Sequence, residues 1–163
     1  MDVNLMNEAE HRIEDRGKIL EDVVQRIVDK HTKELTDQIH KIKSYLQDGT
    51  DLLTDTEIED LMLHLPIILY EKTDDQEIVG LQADFASQIY KEVFSQNYST
   101  ARGTVGDKKS FAELQSMKNN LDQVIYDRAY KIIKQRMTMG VELLNAVKKI
   151  QSARQQRDNI GRF

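Results

Sequence analysis

The chain contains no cysteine and no tryptophan, and only one proline and seven glycines among its 163 residues. Without cysteine there can be no disulfide and no thiolate metal site, and nothing ties the chain to an oxidising compartment. With so few prolines and glycines, few points force a helix to stop, which favours long uninterrupted elements. Long hydrophobic runs are also missing: no apolar stretch approaches the roughly 20 residues that span a bilayer. The opening stretch MDVNLMNEAEHRIEDR is too acidic and polar for a secretory signal. The expectation is a soluble, cytoplasmic chain with no membrane contact.

What is abundant is charge. Charged residues make up 31% of the chain and hydrophobic ones 39%, a balance that suits long amphipathic helices with much of their surface in water. The length fits one domain, or one domain with a long helical extension. The net charge of −5 hides a steep segregation. Residues 1–89 carry 9 Lys+Arg against 21 Asp+Glu, a net of −12, and residues 90–163 carry 14 against 7, a net of +7. Either the two halves attract each other within a bundle or between subunits, or the basic half meets a polyanion.

Apolar spacing of three and four residues organises the whole chain. From Asn7 to Gln47 the stripe Leu20, Val24, Ile27, His31, Leu35, Ile39, Ile42 and Leu46 predicts one long, nearly heptad helix, weakened at Gly17 and ended by Asp48-Gly49. Thr54-Asp-Thr-Glu57 reads as a capping box opening a second helix. Pro66 should kink or break that helix, and Thr73-Asp74-Asp75 reads as a turn or a new N-terminus. A further helix is expected to bury Ile78, Leu81, Phe85, Ile89 and Val93 and to end near Tyr98. Ser110-Phe-Ala-Glu113 reads as the capping box of a last helix reaching about Arg157, with Leu114, Met117, Leu121, Ile125, Ala129, Ile132, Met137, Leu144, Val147 and Ile150 inward. No segment alternates with period two. The expected fold is all-α: long amphipathic helices in an elongated, coiled-coil-like bundle, oligomeric. Residues 1–50 form an acidic N-terminal helix for partner or assembly contacts, and residues 51–163 form a helical core with a basic C-terminal half.

Candidate chemistry concentrates in two stretches. NYSTARGTVGDKKS, residues 97–110, holds Arg102, Lys108 and Lys109 beside two glycines. It is not a nucleotide-binding P-loop, since its glycines are three apart, Asp107 is interposed and no strand precedes it. It reads either as a basic loop whose following helix N-terminus could seat a phosphate or as an ordinary interhelical turn. IYDRAYKIIKQR, residues 125–136, places Tyr126, Tyr130 and Lys134 on one helix face with Arg128, Lys131 and Arg136 in the same turns. Rings and cations together suit a single nucleic-acid strand, because bases stack on rings while phosphates meet Lys and Arg; tyrosines edging a core give the same pattern. Tyr90, Lys91, Phe94 and Tyr98 form a similar mixture upstream. Glu8-Ala-Glu-His11 has the spacing of one half of a di-iron site but has no second copy. No set of nucleophile, base and orienting residue is present, so neither an enzyme nor a cofactor nor a small-molecule substrate is expected.

Over residues 55–157 the chain resembles the UvsY-type recombination mediators of tailed phages, on the stretches LPIILYEK (65–72), IYKEVFSQNYSTARG (89–103) and IYDRAYKIIKQRMTMGVELLNAVKKIQSARQ (125–155). The resemblance implies a non-enzymatic single-stranded-DNA-binding protein that forms a ring-like homo-oligomer. It would help a phage recombinase replace single-strand-binding protein on DNA in the host cytoplasm. The family's DNA-contact stretch falls on Lys91, with Tyr98 and Arg102 at its aromatic and loop-arginine positions. The family's cluster of cations before Tyr98 is thinned here to Lys91 alone, with Lys108 and Lys109 across the loop as candidate replacements. The expected DNA-binding set is Lys91, Tyr98, Arg102, Lys108, Lys109, Tyr126, Arg128, Tyr130, Lys131 and Lys134. The competing reading is a helical structural, scaffolding or adaptor protein whose acidic and basic halves complement each other.

Overall fold

A computed structural model describes residues 3–48 and 53–160, with side chains at 14, 15, 17–47 and 53–160. Three α-helices make up almost all of it: α1 (Val3–Asp48), α2 (Asp55–Thr100) and α3 (Val105–Ile160). Among the described residues there is no strand, so the protein is all-α. The Glu8–His11 pair lies outside the described side chains.

The start of α2 follows directly from its sequence. Thr54 donates its amide (2.8 Å) and its hydroxyl (2.9 Å) to Glu57, and the Glu57 amide donates back to the Thr54 hydroxyl. These bonds satisfy donors that a helix N-terminus otherwise leaves open. Leu53 and Ile58, on either side of the cap, are both fully buried, the pattern of a hydrophobic staple.

Neither a break at Pro66 nor a turn at Thr73-Asp74-Asp75 occurs. α2 runs unbroken through Pro66 and through Thr73-Asp74-Asp75. A proline in a helix interior costs about 3 kcal/mol. Leu61, Leu65, Ile68 and Leu69, on either side of it, are all buried, and each contributes about 1.5–3 kcal/mol; packing therefore wins. At the second point, Thr73 donates its hydroxyl to the Leu69 carbonyl, and Asp75 takes tertiary partners instead of capping a turn.

The chain divides into two compact units, and every helix contributes to both. One unit comprises residues 31–77 and 132–163. Its core joins Leu35, Ile39 and Ile42 of α1 with Ile58, Leu61, Leu65, Ile68 and Leu69 of α2 and Leu144 and Val147 of α3. Its polar interior is matched group for group. Arg136 donates to the hydroxyls of Thr32 and Thr36 at 2.8 and 2.9 Å. The His31 ring meets Asp75 at 2.9 Å, and Lys72 donates to the same carboxylate. Partial burial pushes the Asp75 carboxyl up, but the hydrogen bonds from His31 and Lys72 and the charges of both outweigh it and hold the group below its ordinary value.

Charge also matches inside this unit. Residues 31–77 carry 4 Lys+Arg against 12 Asp+Glu, a net of −8, and residues 132–163 carry 7 against 2, a net of +5. Arg154 of α3 pairs with Asp55 of α2 at 2.9 Å. Much of the segregation visible along the sequence is thus brought together by folding.

The other unit comprises residues 1–30 and 78–131, and here the expected inward faces are corrected. Ile78, Leu81, Phe85 and Ile89 of α2, and Leu114, Met117 and Leu121 of α3, are all exposed. The buried positions are small instead: Ala86, Ala112, Ser116 and Ala129, with Val24, Val28 and Val79. A Cβ on Gly80 would lie 3.1 Å from the Tyr130 ring, and Gln123 donates to the Ser87 hydroxyl at 3.4 Å. Short side chains at the seam let α2 and α3 approach closely, and the bulky residues are left on their outer sides.

Candidate nucleic-acid interface

The turn joining α2 to α3 is shorter than its sequence suggests. α2 continues to Thr100, and only Ala101–Thr104 lie outside helices. Gly103 adopts φ 115°, a conformation that side chains disfavour. The capping box of α3 is Thr104-Val-Gly-Asp107, not the expected Ser110-Phe-Ala-Glu113. Thr104 donates its amide (3.0 Å) and its hydroxyl (2.7 Å) to Asp107, and the Asp107 amide donates back to the Thr104 hydroxyl. Hydrogen bonds from the Thr104 hydroxyl and amide hold the Asp107 carboxyl below its ordinary value. Lys108, Lys109 and Ser110 therefore sit in the opening turns of α3 rather than in a loop. The N-terminal seat that looked available to a phosphate carries the chain's own carboxylate.

Nine of the ten candidate residues fall into two groups. Tyr98, Arg102, Lys108 and Lys109 surround the turn, while Tyr126, Arg128, Tyr130, Lys131 and Lys134 lie further along α3. At 1.5 Å per residue, Lys108 and Arg128 are separated by about 30 Å along the helix. Lys91 stands between the groups on α2, and Lys134 belongs to the unit of residues 31–77 and 132–163.

Lys91, Arg102, Lys109, Arg128, Lys131 and Lys134 are exposed and Lys108 is half-buried. Among the described residues, Lys109 pairs only with Glu113 at 3.8 Å and Lys131 only with Asp127 at 2.7 Å, each one turn away on its own helix. Exposed pairs of this kind are worth well under about 1 kcal/mol, so a phosphate can displace them. Arg136 and Arg154 differ, being held by Thr32, Thr36 and Asp55.

The three candidate tyrosines, Tyr98, Tyr126 and Tyr130, are half-buried. Tyr98 stacks on Phe94 with centroids 6.2 Å apart, and Tyr90 meets the other side of the ladder at the same spacing. Tyr130 covers Gly80, and Tyr126 lines an open groove with Phe85, Ile89, Asn119 and Asp122. These rings already have intramolecular work to do, and the cations are the freer part of the candidate set.

Sequence reasoning missed the two outward apolar stripes. The signal was present in Gly80, Ala83 and Ser87 and in Ala112, Ser116, Asn119 and Gln123: short residues at helical spacing mark the close-packed face. Among the described residues no cluster of three or more His, Asp or Glu could hold a metal ion, and no helix is long and apolar enough to cross a membrane. No protein-family model, curated protein or solved structure matches the chain. Its description therefore rests on its own fold and surface: an all-α protein with exposed cations and exposed apolar helix faces on α2 and α3.

Proposed function

We propose that this protein is a non-enzymatic, self-associating helical protein that binds single-stranded DNA through the cations of α2 and α3 and acts as a recombination mediator. It would load a phage-type recombinase onto strands covered by single-strand-binding protein. The supporting observation is that none of Lys91, Arg102, Lys108, Lys109, Arg128, Lys131 and Lys134 pairs with an acid on another helix among the described residues. The strand is gripped through its phosphates, with little sequence preference, and several copies act together to multiply weak contacts. Tyr98, Tyr126 and Tyr130 contribute ring edges beside the phosphate path rather than free stacking platforms.

Titration of a labelled oligonucleotide at several salt concentrations tests this reading. Affinity is expected to fall with a log–log slope of about −0.7 per phosphate engaged. Lys91→Glu, Arg102→Glu and Arg128→Glu should weaken binding without changing helix content. Absence of binding at low salt would remove the proposal.

A second reading, a helical scaffolding or adaptor protein, is favoured by the charge matching inside the unit of residues 31–77 and 132–163. There the cations serve assembly. Changing Lys108, Lys109, Lys131 and Lys134 to Glu separates the two: the mediator reading expects intact assemblies that release DNA, and the scaffold reading expects the assemblies to fall apart in sedimentation.

A further inference from the structure

We draw no further inference here: the strongest candidate, the pair of apolar faces that α2 and α3 turn outward in the unit of residues 1–30 and 78–131, has nothing in the structure to show what covers it.

Discussion

Two glycines in helix interiors have opposite surroundings. Gly17 in α1 has nothing within 4 Å of where a Cβ would stand, while a Cβ on Gly140 in α3 would lie 2.8 Å from a Leu69 methyl and 3.1 Å from one of Leu35. Gly17→Ala is expected to raise stability by about 0.5–1 kcal/mol, because alanine loses less backbone freedom in a helix. Gly140→Val is expected to lower it by about 1–3 kcal/mol, the usual cost of overfilling a packed core. Chemical denaturation of both variants checks the pair, and equal effects would contradict the packing described. Sequence spacing reads Gly17 as a weak point of its helix and leaves Gly140 as either a close contact or a soft point. Which of them is a close contact depends on Leu35 and Leu69, residues far away along the chain, and spacing within one helix does not carry that information.

Helix α2 shows where local rules prevail and where they yield. Its start was legible because Thr54 and Glu57 sit three residues apart and their bonds are local. Its continuity through Pro66 was not, because Leu61, Leu65, Ile68 and Leu69 outweigh the proline through contacts with other helices. Pro66→Ala should therefore stabilise the protein, by up to about 3 kcal/mol, read as a raised denaturation midpoint; a lowered midpoint would show that the ring itself is needed. The same limit explains the reversed faces of α2 and α3. Helical spacing identified Phe85, Ile89, Leu114 and Leu121 as a set of aligned residues, but which side of a helix turns inward is decided by its neighbour. Here the small residues at Gly80, Ala112 and Ser116 settled the choice. The turn behaves similarly. Two successive Ser/Thr-x-x-Asp/Glu patterns competed, and Thr104 with Asp107 prevailed over Ser110 with Glu113, lengthening α3 by about one and a half turns. Gly103→Ala places a side chain at φ 115° with a Cβ 3.0 Å from an Asp107 oxygen, and should lower the melting temperature more than Gly106→Ala, which meets only the Thr104 hydroxyl at 3.8 Å.

At the scale of the molecule, acid should act through three carboxylates among the described residues. Glu57 is held below its ordinary value by the Thr54 amide and hydroxyl, Asp107 by the Thr104 hydroxyl and amide, and Asp75 by His31 and Lys72 against the opposing effect of burial. The folded protein therefore binds fewer protons than the unfolded chain in the ordinary carboxylate range. Their contribution is fully present above that range and is lost as pH falls through about 4 and below. Melting curves between pH 7 and pH 3 should show the decline, and combining Thr54→Ala with Thr104→Ala should flatten it; an unchanged profile would remove the two caps as its source.

One feature of the unit built from residues 31–77 and 132–163 bears on how the protein is made. Its acidic segment leaves the ribosome well before the basic segment that completes its core. Until residue 132 and those after it emerge, Leu35, Ile42 and Leu65 lack the Leu144 and Val147 they pack with, and a strongly negative stretch has no counter-charge. Nascent chains halted short of that point should be held by chaperones or cleaved between residues 31 and 77, while completed chains resist the same protease.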